Sequence, residues 1–148
     1  MGEVAEAAFV RRALEVAMAR EIAANIDAVT LKRLDRSLAQ QAAALRARDW
    51  ATFYALDVSF HGLLFERLGM RGVAAAVDSS RAQLERARRS LLPEAGRGAR
   101  TLREHRQLVA ALRARDPAAA VDAMQAHLDG VVAEIGAFVA ARPDMFAD

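Results

Sequence analysis

Apolar residues recur every three to four positions along nearly the whole chain, and the pattern breaks only at stop signals. That period predicts α-helices, not strands. A first helix is expected from about Glu3 to Ile26, with Phe9, Ala13, Val16 and Ala17 facing inward. Thr30 is the expected N-cap of a second, whose Leu31, Leu34, Leu38 and Leu45 carry it to about Arg48. Asp49 caps a third through Leu68, with Phe53, Leu56, Phe60, Leu64 and Leu68 on one face, and Gly69 and Gly72 bracket a short turn. A fourth ends near Leu92 at Pro93 and the loop PEAGRG. Thr101 and Glu104 have the spacing of a capping box, which starts the fifth helix or lies in its first turns. Asp116–Pro117 opens the sixth, with Asp suited to the N-cap and Pro to the first helical position; it ends near Ala141, before Arg142–Pro143.

Helices of this length joined by short connections favour antiparallel neighbours, so the expected fold is an all-α antiparallel bundle. One domain spanning residues 1–148 is long enough to bury a core. Aromatic residues make up 5% of the chain and only three prolines and eight glycines interrupt it, which argues against turn-rich β structure.

No apolar run approaches the roughly 18 residues that a membrane span needs. The opening MGEVAEAAFVRRALE is amphipathic and unlike a secretory signal, so a cytoplasmic location is expected and no membrane partner. With no cysteine, disulfides and thiolate ligands are excluded. The formal charge is +2, and the basic residues, all but one arginine, alternate with 19 acids along every helix. Such charges read as solvated helix faces. The densest cluster, RARR at 86–89 with Arg81 before it, lacks aromatic partners for bases, so direct nucleic-acid contact by this chain is not expected.

The candidate chemistry lies elsewhere. Each of the three histidines falls on an apolar stripe: His61 with Phe53, Phe60 and Leu64, His105 with Leu102, Leu108 and Leu112, His127 with Ala120, Met124 and Val131. Asp57 precedes His61 by four residues and so shares its face. Inward imidazoles and a carboxylate are costly unless paired, and a divalent metal satisfies all four at once. Zinc, nickel, manganese, iron and cobalt all accept this ligand set. The ordinary alternative is three satisfied core histidines, with Asp57 and His61 as a buried ion pair.

The ordered set of segments YALDVSFHGLLFERLG, EH-x2-LV-x-AL-x-ARD and A-x3-AMQAHL, preceded by FVRRALE and joined by LERARR, resembles the FCD family. These are the C-terminal effector-binding domains of FadR-subfamily GntR transcription regulators. The resemblance covers nearly the whole chain and implies a bundle of six to seven helices around an internal metal and ligand cavity. Asp57, His61, His105 and His127 match in kind and order the residues that hold a divalent ion in metal-containing members. Arg11 and Arg86 align with arginines that line the effector pocket, and Arg89 lies one turn beyond Arg86. Met70 departs from the family, which often has Asn directly after the glycine.

The function so implied is sensing. A small organic acid would bind at the metal and the arginines, in a homodimer. DNA would be reached only through a winged helix-turn-helix domain that this chain does not include, so the chain is expected to be an excised effector domain or a stand-alone sensor. The rival is a helical-bundle metalloenzyme with a His3Asp site. Against it, Glu66 and Glu104, the nearest acids in sequence, are expected to face away from the cavity, leaving no general base, and no Glu-x-x-His pair is present. A metal-free interaction module that dimerises through its Ala-rich faces is a third reading.

Overall fold

A computed structural model describes the backbone of residues 2–94 and 96–141; the side chains of residues 2–4, 83, 86, 87 and 139 are outside what it describes. Six helices make up these residues: α1 (Gly2–Asn25), α2 (Ala28–Ala47), α3 (Trp50–Leu68), α4 (Arg71–Leu91), α5 (Arg97–Arg113) and α6 (Pro117–Ala141). No strand occurs among them, and none of the helices is long and apolar enough to cross a membrane. The all-α bundle is as expected. The stop at Arg142–Pro143 lies outside the described residues.

Aspartates start three of the helices. Asp49 Oδ1 accepts from the Thr52 amide at 3.0 Å and Asp116 Oδ1 from Ala119 at 3.0 Å, filling donors that a helix N-terminus leaves open. The expected cap at Thr30 is corrected: Asp27 is the N-cap of α2, and its Oδ1 accepts from the Thr30 amide at 2.7 Å. Thr30 is buried in the first turn instead. α5 begins before Thr101, so Thr101 and Glu104 lie within its early turns. Gly69 ends α3 in the left-handed conformation, φ 65°, which glycine adopts without a Cβ clash.

α1 departs further from expectation. Phe9 is 74% exposed, and Ala13 and Ala17 are also exposed. Its inner face carries Ala7, Arg11, Glu15, Met18 and Ile22. Small apolar residues surround this helix on most sides, so hydrophobicity alone selects no face. The stripe that is buried contains a charged pair, Arg11 and Glu15, 2.7 Å apart.

The main core joins Met18, Ile22 and Ala23 of α1, Leu34 of α2, Phe60 and Leu64 of α3, Val77 of α4, Leu108 and Leu112 of α5, and Ala120 and Met124 of α6. α1 packs mainly on α6 and α4, α5 on α6 and α2, and α2 on α3. At Gly98 of α5 the approach is close: a Cβ there would lie 2.8 Å from Leu45 Cδ1 and 3.2 Å from Trp50 Cζ3.

Candidate metal centre

α3 presents Asp57 and His61 one turn apart on its buried side, α5 presents His105, and α6 presents His127. None of the four is more than 2% exposed. Each offers a donor atom such that all four atoms lie within 4.8 Å of one another. The rings are mutually close, with centroids 4.9 to 5.3 Å apart, and Phe60 stacks on His105 at 4.2 Å.

Which nitrogen faces the centre follows from the outer partners. His61 Nδ1–H donates to Glu15 Oε2 at 2.5 Å, His105 Nδ1–H to Gln41 Oε1 at 2.8 Å, and His127 Nδ1–H to Glu104 Oε2 at 2.8 Å. Carboxylate and carbonyl oxygens only accept, so each neutral ring carries its proton on Nδ1 and its lone pair on Nε2. All three Nε2 atoms are buried without a hydrogen-bond partner, as is Asp57 Oδ1. His105 Nε2 and Asp57 Oδ1 are 3.5 Å apart. On Asp57, Arg88 Nη2 donates to the other oxygen, Oδ2, at 2.7 Å. Four unsatisfied donors converging in a closed interior, each backed by a bond on its far side, is an arrangement that fits a divalent ion.

Protonation states agree. Burial, and for His105 and His127 a neighbouring imidazole, holds these two well below the ordinary imidazole range. Burial also lowers His61, with Arg81 adding to it and Glu15 opposing. Burial works against ionised Asp57, but Arg88 foremost, then His105, His61 and Arg81, keep it well below the usual carboxylate range. Glu15 is likewise held low against its burial by His61, Arg11 and Arg81. Burial raises Glu104, an effect Arg97, Arg100 and Arg103 oppose. Neutral imidazoles beside an ionised aspartate are the ligand forms a metal needs.

Three guanidiniums line this interior. Arg11 Nε donates to Glu15 Oε1 at 2.7 Å, Arg88 holds Asp57, and Arg81 Nη2 lies 3.6 Å from Glu15 Oε2. Arg11 Nη2, Arg88 Nη1, and Nε and Nη2 of Arg81 are buried with no hydrogen-bond acceptor. Arg11, expected to line an effector pocket, is buried and paired with Glu15. The Arg86 side chain lies outside the described residues. Arg89 is a surface residue, paired with Glu85 at 2.7 Å and set over the Tyr54 ring at 4.8 Å. A groove of about 600 Å³ beside Phe9, Val16, Leu68 and Met70 includes none of the four donors.

Glu66 faces outward, paired with Arg33 at 2.7 Å. Glu104 corrects the expectation, because it turns inward to His127. Sequence reading also missed Glu15, Gln41, Arg81 and Arg88. Glu15 had the same signal as the histidines, a polar residue spaced three and seven before Met18 and Ile22. Gln41 shares a stripe with Leu34 and Leu38, though long polar side chains on such stripes commonly reach solvent.

Comparison with known proteins assigns the chain to a family. The model of the FCD domain matches residues 6–130. The HTH-type transcriptional repressor RspR of Escherichia coli K12 is 27% identical over all 148 residues, which span 65% of that protein. A Streptomyces ambofaciens protein described as an uncharacterized HTH-type transcriptional regulator in an unstable DNA locus is 31% identical over 97% of this chain and 60% of its own length. The solved structure of Streptococcus agalactiae GntR superposes with a TM-score of 0.71 at 25% identity, over 88% of this chain and 58% of that one. The chain therefore spans about two thirds or less of these relatives. Six helices, a family match over most of the chain and GntR-type regulators as relatives lead to one assignment: this chain belongs to the FCD domain family.

Proposed function

We propose that this domain is the sensing part of a cytoplasmic, homodimeric GntR-type regulator, in which a divalent metal and a small carboxylate effector bind together inside the bundle. One observation carries the reading: Asp57 Oδ1 and three Nε2 atoms converge without partners while every opposite Nδ1 is engaged. Zinc, nickel, manganese or iron suits this set. A bound ion would supply an electrophilic centre with coordination positions left for an oxygen ligand.

The chain's own groups favour an anion as that ligand. Three buried guanidiniums face two buried carboxylates, Glu15 and Asp57, so the wall is cationic before any metal binds. A guanidinium fork matches a carboxylate bidentately. Arg11, Arg81 and Arg88, with Arg86 on the same helix as the last two, are the proposed effector contacts. An acid held between α1, α4 and the donor helices shifts the bundle only by its differential affinity for two arrangements. DNA binding would follow that shift in a separate winged-helix domain, as the names of the relatives suggest.

A metalloenzyme is less well supported. The two acids nearest the donors, Glu15 and Glu104, each accept from an imidazole on the side away from the centre, which leaves neither placed as a general base.

Elemental analysis of chelator-stripped protein reloaded with zinc tests the reading. Wild type should retain about one ion per chain and His105→Ala almost none. Equal, negligible zinc in both would end it. Citrate and other small carboxylates should raise the Tm of the loaded protein, and Arg11→Ala or Arg86→Ala should reduce the shift. Sugars acting where acids do not would refute the effector class.

A further inference from the structure

The three imidazoles are backed by three different kinds of partner. Gln41 is neutral. Glu104 is charged, but its nearest guanidinium, Arg97 at 3.7 Å, is ion-paired at 2.5 Å with Glu134, which also holds the exposed Arg100. Glu15 differs from both. Its Oε1 accepts from Arg11, its Oε2 accepts from His61 Nδ1–H, and Arg81 stands 3.6 Å from that same Oε2 without completing a hydrogen bond. Among the described residues, Glu15 therefore touches both a metal-facing histidine and two buried arginines with donors still unmatched.

We propose that Glu15 is the positioning residue that couples anion binding at Arg11 and Arg81 to metal affinity at His61. The proposal rests on the reading of the site as a joint metal and carboxylate centre. In the anion-free domain the Glu15 charge is shared among His61 and two guanidiniums. Carboxylate oxygens that engage Arg11 Nη2 and the Nε and Nη2 of Arg81 take over part of that guanidinium charge. More of the Glu15 charge is then left for the His61 Nδ1–H bond. A stronger acceptor on Nδ1 makes Nε2 a better donor to a metal. Linkage makes the effect mutual: the anion tightens the metal and the metal tightens the anion by the same factor.

Glu104→Gln is the internal control, since it removes the same type of carboxylate–imidazole bond from a residue whose arginine is engaged elsewhere. Zinc affinity is measured by competition with a fluorescent chelator, with and without excess succinate, a weak zinc chelator. Wild type should bind zinc about 10-fold more tightly with succinate, within the usual range for coupled sites. Both Glu15→Gln and Glu104→Gln should weaken zinc by roughly 10- to 100-fold, the usual effect of losing such a partner. Only Glu15→Gln should lose the succinate effect.

Retention of the wild-type factor in Glu15→Gln, or its loss in both variants, overturns the proposal. So does wild-type zinc binding that ignores succinate, an outcome that leaves the metal reading standing; failure of wild type to bind zinc would instead remove that reading. Should Glu15→Gln not fold, Arg11→Met serves. It frees Glu15 from one competitor, so zinc should bind more tightly without succinate and gain less from it. Unchanged or weaker zinc binding in Arg11→Met counts against the proposal, because a merely structural arginine would give that result.

Discussion

Arg88 and Asp57 meet inside the bundle at 2.7 Å, on the carboxylate oxygen that faces away from the histidines. The pair leaves Oδ1 oriented toward the centre, and it also offsets the burial of two charges. Removing one member strands the other, at a typical cost of about 3–5 kcal/mol. Arg88→Met should therefore destabilise metal-free protein by about that much in urea unfolding. Zinc, by neutralising the stranded aspartate, should recover part of the loss. An equal penalty with and without zinc would show that Asp57 does not face the ion.

Stability should fall on mild acidification. The three histidines are held neutral in the fold, chiefly by burial, whereas unfolded imidazoles titrate near about 6.5. Below that pH the unfolded chain binds more protons, so the free energy of unfolding decreases as pH drops. Asp57 and Glu15, held low by their cationic neighbours, add a loss in the same direction at more acid pH, as they protonate. The urea midpoint of metal-free protein should decline from about pH 7 toward pH 5. A flat profile across that window contradicts buried neutral imidazoles.

Helix capping gives a paired comparison. Asp27 supplies the cap oxygen of α2 and Thr30 only the amide that meets it. Asp27→Ala should lower Tm by a few degrees, the usual scale for a lost N-cap. Thr30→Val keeps both the amide and the packing volume, so it should lower Tm less in the same calorimetric scan. The reverse order would restore Thr30 as the cap.

Two helical glycines should respond oppositely to alanine. At Gly136 nothing lies within 4 Å of a Cβ, and the substitution should stabilise by roughly 0.5–1 kcal/mol through helix propensity. At Gly98 the same gain is opposed by the contacts with Leu45 and Trp50, and overpacking of this kind costs about 1–3 kcal/mol. Gly98→Ala should be neutral or destabilising in urea titrations. A clear stabilisation there would mean that α5 and α2 are less closely packed than described.

The helices and the inward donors were legible because both obey one rule: side chains three and four residues apart share a face. Asp57, His61, His105 and His127 each stand on strongly apolar stripes, so their placement needed no knowledge of neighbouring helices. Asp49 and Asp116 were legible for a similar reason, since a cap is local. α1 was not. Hydrophobicity alone turns Phe9 inward, whereas Arg11 and Glu15 are tolerated inside only because they pair with each other and Glu15 also finds a histidine 46 residues away. Such a pairing is a property of the folded neighbourhood. Glu104 was misjudged for the same reason: its position beside His105 in sequence suggests an outward turn, but α6 brings His127 up to it.

Every one of the six helices contributes at least one polar side chain to the same small region: Glu15, Gln41, Asp57, Arg88, His105 and His127 in chain order. An atom bound among the four donors would be at most two contacts from any helix in the domain. Slight rotation of any helix would then alter the grip on that atom, and any change at that atom would be felt along all six axes. A bundle wired in this way has no quiet side from which a signal at its heart could be insulated.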